Sequence, residues 1–213
     1  MIRAVVFDVG ETLTSDQRFW ADWADWLDVP HYTVAALVGA VVGQGRDNAD
    51  ALRLLRPGLD LTSEYAAREA AGHGERLGEA DLYPDVRDGL SALRAAGYWV
   101  GVAGNQTARA AELLRALDLP VDGLATSGEW GFAKPAPEFF ARICTWSGFP
   151  AAEIVYVGDH PANDTVPART AGLRTVHLRR GPWGHLWAGS AAAAQANWQA
   201  NSILELPGLF TEA

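Results

Sequence analysis

The chain of 213 residues has one cysteine and one methionine. The lone Cys144 excludes an internal disulfide and any metal site built from several thiolates. It falls in the helical run F-F-A-R-I-C-T-W, where a thiol reads as a small packing group rather than a nucleophile. Positive charge is scarce as well: 17 Lys and Arg stand against 26 Asp and Glu, giving a formal net charge of -9 and a pI near 4.9. Nucleic-acid binding usually needs a basic face, so this balance argues against a nucleic-acid partner. A small anionic substrate would need a local cation, or a metal ion held by carboxylates. No apolar stretch is long enough to span a bilayer, and no basic and apolar leader precedes the first strand, so the expectation is a cytoplasmic protein with no membrane partner. A hydrophobic fraction of 49% and a charged fraction of 20% are ordinary for a globular chain. The length suits one substantial domain, or a core with a smaller insert.

What the chain does have is concentrated at its start. Residues 2–7 read I-R-A-V-V-F and end on Asp8, followed by V-G-E-T-L-T. A short run rich in β-branched and aromatic residues fits a strand buried on both faces, as in a parallel sheet flanked by helices. Asp8 then stands at the carboxyl end of a strand, where open α/β sheets bind their ligands. Taken alone, an Asp in that place is equally a turn residue or a helix cap.

Residues 15–81 contain no convincing strand. Phe19, Trp23, Trp26 and Leu27 recur at helical spacing, and further apolar runs end at Gly and Pro breaks. An all-helical insert is expected there, because a structureless loop of that length is unusual. Trp20, Trp23 and Trp26 read as its core or as an apolar lid. From Tyr83 the pattern alternates. Helices are expected from Val86 up to a stop at Gly97, over residues 108–117, and from Pro135; strands are expected at residues 98–103, 124–126, 154–157 and 174–178. Right-handed crossovers then give an α/β fold with a parallel sheet of about five strands. The Ala-rich tail, residues 191–210, is expected to be a helix and a short packing segment.

Parallel strands would bring Asp8, Asn105, Asp159 and the nearby Asp164 to one edge of the sheet, with Lys134 at the mouth of the following helix. Several carboxylates with a backbone carbonyl make an oxygen-rich site suited to Mg²⁺. A lysine there would balance a carboxylate nucleophile and a phosphoryl group, and an Asp so placed can attack phosphorus.

The order F-D-V-G-E-T-L, strand-G-N, K-P-A-P-E-F-F and V-G-D-H-P-A-N-D resembles the haloacid dehalogenase-like hydrolase superfamily over nearly the whole chain. The resemblance implies a Rossmann-like core from residues 1–14 and 82–213, with residues 15–81 as an inserted helical cap. It implies Asp8 as nucleophile and metal ligand, a metal contact from the Gly10 carbonyl, Lys134 at the phosphoryl site, and Asp159 with Asp164 holding Mg²⁺. The implied activity is phosphohydrolysis of a small phosphate ester or acyl phosphate through an aspartyl-phosphate.

Two positions depart from that pattern. Gly10 replaces an Asp that serves as general acid and base, worth roughly 10²- to 10⁴-fold in rate. Gly104 replaces a Ser or Thr whose hydrogen bond to the phosphoryl group is worth about 1.5 to 3 kcal/mol. Glu11 reads either as a solvated turn residue or as a substitute carboxylate. Asn105 reads as a helix cap or as the missing donor. Trp130 and Phe132 are candidates to line the pocket, and Arg179 with Arg180 read as a solvated charge pair or as an anion contact. Three functions fit these residues: the Mg²⁺-dependent phosphatase, a binding or regulatory protein with little turnover, and a metal-independent hydrolase of the 2-haloacid dehalogenase type.

Overall fold

In the computed structural model, which describes residues 1–211, the apolar run at the start of the chain becomes β1 (Ala4–Phe7), with all four residues buried. Four helices follow: α1 (Gln17–Leu27), α2 (His31–Gly43), α3 (Asp50–Leu55) and α4 (Leu61–Ala70). The chain then alternates through α5 (Val86–Ala95), β2 (Trp99–Gly104), α6 (Ala108–Ala116), β3 (Gly123–Thr126), α7 (Ser127–Trp130), α8 (Pro137–Ser147) and β4 (Ile154–Gly158). It finishes with α9 (Thr165–Thr170), β5 (Arg174–Leu178), α10 (Gly181–Leu186), β6 (Trp198–Ala200) and α11 (Leu206–Thr211). Two compact units result, one formed by Met1–Ser15 with the chain from Gly78, the other by Asp16–Leu77.

In the larger unit the six strands are all parallel, in the order β3-β2-β1-β4-β5-β6. The chain works outward from β1 through β2 to β3, then returns to lay β4 on the other side of β1. That reversal makes the carboxyl ends of β1 and β4 the switch point of the sheet, where such folds bind ligands. Phe7, the last residue of β1, pairs with Val102 and Val157, so β2 runs on by two residues to Gly104 and β4 by one to Gly158. One face of the sheet presents Ala4, Val6 and Tyr156 to Phe139, Phe140 and Ile143 of α8 and Ala168 of α9. On α5, the apolar positions Val86, Leu90 and Leu93 are buried together, as their spacing requires.

The sheet has a sixth strand beyond the five that the sequence pattern predicts. β6 has only the residues W-Q-A, too few to show an alternation, and it sits where a helix was anticipated. Its place is set by Asn197, whose Oδ1 accepts from Arg169 Nη1 at 2.7 Å and from the Thr175 N–H at 3.0 Å. Helix α8 starts at Pro137, two residues beyond the Pro135 start read from the sequence, and the Lys134–Pro135 peptide is cis.

The smaller unit has its own core. Trp23 is fully buried, with the Arg68 guanidinium 4.2 Å from its ring centroid and Tyr65 edge-on at 5.3 Å. Trp26 Nε1 donates to Glu64 Oε2 at 2.7 Å. Among the described residues no single helix is long and apolar enough to cross a membrane.

Candidate active site

The end of β1 delivers Asp8, the end of β4 delivers Asp159, and the turn into α9 delivers Asp164. All three are buried, and each contributes a carboxylate oxygen to a group lying within 4.8 Å of one another. Lys134, the only lysine in the chain, reaches in from the loop before α8. Its Nζ stands 2.7 Å from Asp8 Oδ1 and 2.6 Å from Asp164 Oδ1. The Tyr156 ring lies 5.4 Å below the ammonium, and its hydroxyl donates to the Ala103 carbonyl at 2.8 Å. Asp164 Oδ2 accepts the His160 N–H at 2.9 Å.

Three carboxylates against one ammonium leave excess negative charge in a buried space. Burial pushes the Asp8 carboxyl up to about 6, against the pull of Lys134. Burial, then Asp164 and Asp8, hold Asp159 well above the usual carboxylate range. Burial also works against the charge on Lys134, yet Asp164 and Asp8 overcome it and hold the ammonium well above its ordinary value. Among the described residues Asp159 Oδ2 is buried with no hydrogen-bond partner, while its Oδ1 meets Thr12 Oγ1 at 3.4 Å. An orphaned carboxylate oxygen among hard oxygen donors fits a small divalent cation such as Mg²⁺.

Two glycines make the cluster possible. A Cβ at Gly158 would lie 2.3 Å from Asp164 Oδ2 and 2.7 Å from its Cβ. A Cβ at Gly104 would lie 2.6 Å from Asp8 Oδ1 and 3.2 Å from the Val9 nitrogen. Carboxylates therefore lie directly against the last residues of β4 and β2.

The other residues singled out from the sequence fall in different places. Asn105 braces the lysine loop: its Nδ2 donates to the Lys134 carbonyl at 2.9 Å, and its Oδ1 accepts the Lys134 N–H at 2.7 Å. Gly10 lies in the turn closed by the Glu11 N–H on the Thr14 carbonyl. Glu11 is not solvated. It is 7% exposed, takes a left-handed φ of 55°, and accepts the Tyr83 hydroxyl on Oε2 at 2.5 Å. Trp130 is drawn into the aromatic cluster under α8, 5.2 Å from Phe139 and 5.5 Å from Trp146, because those rings offer more apolar contact than the polar sheet edge. Arg180 is buried and paired with Asp85 rather than solvated. Thr12, Tyr83 and Tyr156 also stand at the site, and the sequence does not single them out. For Tyr156, its place in the strand before Asp159 was the available signal; for Thr12 and Tyr83 there was none.

The family model for haloacid dehalogenase-like hydrolases matches residues 2–172. A plasmid-encoded phosphoglycolate phosphatase of Cupriavidus necator is 32% identical over 190 residues, covering 87% of this chain and 80% of that protein. A glyceraldehyde 3-phosphate phosphatase of Methanopyrus kandleri is 29% identical over 201 residues, covering 86% of each. The crystal structure of a HAD phosphatase from Thermococcus onnurineus shares the fold, with a TM-score of 0.64, 21% identity and coverage of 98% of both chains. With the family model spanning most of its length and a relative above 30% identity across the same core, this chain belongs to the haloacid dehalogenase-like hydrolases.

Proposed function

We propose that the protein is a Mg²⁺-dependent phosphohydrolase of small phosphorylated metabolites, with Asp8 as its nucleophile. The observation that carries this reading is the buried convergence of Asp8, Asp159 and Asp164 on Lys134 at the switch point of the sheet. The phosphatase names of the curated relatives support it. Asp8, Asp159 and Asp164 would hold the metal, with the Gly10 carbonyl as a further ligand. Bound there, Mg²⁺ would draw charge from the phosphoryl oxygens.

The residues divide the work. A carboxylate oxygen of Asp8 attacks phosphorus, and the bond from phosphorus to the leaving oxygen breaks, its electron pair departing with the leaving group. Lys134 neutralises Asp8 and the incoming phosphoryl charge. Asn105, holding both backbone groups of Lys134, fixes where that ammonium stands. Water then attacks the aspartyl-phosphate, releasing phosphate and restoring Asp8. Gly10 has no proton to give, so the leaving group must depart without a general acid at that position. Acyl and anomeric phosphates meet that demand. The helical residues 15–81 take the role of the substrate-selecting cap.

The absence of a proton donor at residue 10 also favours a second reading, a binding or regulatory protein with little turnover. A panel of phosphometabolites separates the two, run with and without chelator and with the Asp8→Asn variant. The phosphohydrolase reading requires at least one substrate whose turnover is lost in both controls. Absence of turnover across the panel, or turnover surviving in Asp8→Asn, overturns it.

A further inference from the structure

The turn that follows Asp8 is held from behind by residues no catalytic role explains. In residues 9–14 the Val9 carbonyl gathers the N–H groups of Thr12, Leu13 and Thr14 at 3.2, 2.7 and 3.0 Å. Arg180, just beyond the end of β5, is 8% exposed. Its Nη1 donates to the Thr12 carbonyl at 2.8 Å, its Nη2 pairs with Asp85, and its guanidinium carbon lies 4.5 Å from the Tyr83 ring centroid. Asp85 is fixed in turn by the Ser202 hydroxyl at 2.6 Å and the Ile203 N–H at 3.1 Å. Tyr83 donates its N–H to the Leu13 carbonyl at 3.0 Å and its hydroxyl to Glu11. Next to Arg180, a Cβ on Gly181 would lie 2.4 Å from Glu11 Oε2, so the backbone at residue 181 packs on that glutamate.

We infer that Arg180 is a positioning residue for the reaction centre: through the Thr12 carbonyl and the Tyr83 ring it fixes the turn after Asp8 and aims Thr12 at Asp159. This rests on reading Asp8 and Asp159 as that centre. The guanidinium suits the task because its planar fork serves two acceptors at once, whereas an ammonium is a point charge. Thr12 is the link, since its carbonyl accepts from Arg180 while its hydroxyl stands 3.4 Å from Asp159 Oδ1. Within the turn the Thr14 hydroxyl donates to the Val9 carbonyl at 3.3 Å, while Gly10 has no side chain to add. The fork adds a brace at Thr12 from outside.

The test uses the full chain with R180M and R180K. Three quantities are read: amide hydrogen exchange of residues 9–14 with β1 as internal control, magnesium affinity by calorimetry, and kcat and KM on acetyl phosphate. For R180M, exchange at Thr12, Leu13 and Thr14 should quicken while β1 stays protected. Magnesium affinity and kcat should each fall roughly 10- to 100-fold, with KM little moved. R180K, which keeps a charge for Asp85, should fold and fall between R180M and the parent. Unchanged exchange at residues 12–14 in R180M, or in R180K if R180M does not fold, overturns the inference. So does a lower Tm with kcat and magnesium affinity preserved. A parent protein that neither binds magnesium nor hydrolyses acetyl phosphate fails the phosphohydrolase reading instead, and the inference of a reaction centre positioned by Arg180 falls with it; unchanged exchange in an active parent's variant fails only the inference.

Discussion

Gly104 and Asp8 share one space. A Cβ at residue 104 would stand 2.6 Å from Asp8 Oδ1, the same oxygen that Lys134 Nζ holds at 2.7 Å. One of the two residues that depart from the family pattern, Gly104, thus leaves room for the carboxylate where it lies. A side chain at 104 requires Asp8 Oδ1 to shift from the position in which it meets Lys134.

Restoring the family residue should therefore not restore a better catalyst. In Gly104→Ser the new Cβ meets Asp8 Oδ1, Val9 Cγ2 and the Val9 nitrogen, the last two at 3.1 and 3.2 Å. We expect kcat to fall by roughly 10- to 100-fold, the scale of a misplaced reacting group. A kcat equal to or above that of the parent would show that the site adapts.

Lys134 holds two buried carboxylates, so Lys134→Met leaves them uncompensated. Breaking a buried pair from one side costs about 3–5 kcal/mol. That loss should appear in urea denaturation at neutral pH and shrink as the pH falls, because a protonated Asp8 no longer needs a cation. A loss independent of pH would point to packing rather than charge.

Asp8 makes a pH prediction of definite sign. Its carboxyl stands at about 6 in the folded chain against an ordinary 3.8. Between those values the folded protein keeps a proton that the unfolded chain has released, so ionising Asp8 costs stability as pH rises. The cost is absent below about pH 4 and complete above about pH 6. In metal-free protein, Asp8→Asn should gain on the parent across this window, by about 1–3 kcal/mol at neutral pH. Magnesium should raise the Tm of the parent and leave that of Asp8→Asn nearly unchanged. Equal responses to magnesium would remove Asp8 from the ligand set.

With glycine at residue 10, rate should follow the leaving group. Acyl and anomeric phosphates should turn over faster than simple alkyl phosphates, by a margin approaching the roughly 10²- to 10⁴-fold that a general acid contributes. Equal kcat values across the two classes would mean that another group supplies the proton.

The sheet and the meeting of the carboxylates at its edge were legible because their signals are local. β1, β2 and β4 are short apolar runs that end in Gly or run directly into Asp, and parallel topology alone brings Asp8, Asp159 and Asp164 to one edge. Lys134 was legible from its K-P setting before a helix. What could not be read were the environments made by distant residues. Glu11 is buried by Tyr83, 72 positions away, and Arg180 is turned inward by Asp85 and by the Thr12 carbonyl 168 positions away. Trp130 has the composition of a pocket residue, but Phe139 and Trp146 claim it. The three-residue β6 carries no periodicity, and Asn197 fixes it through bonds to Arg169 and Thr175.

The central claim is that Asp8 is the group that takes the phosphoryl. Acid quench of the protein during turnover of acetyl phosphate, followed by peptide mass analysis, tests it directly. A phosphoryl group should appear on the peptide containing Asp8, depend on magnesium, and vanish in Asp8→Asn. Turnover without that adduct under any quench, or a phosphoryl group on another residue, would contradict the account.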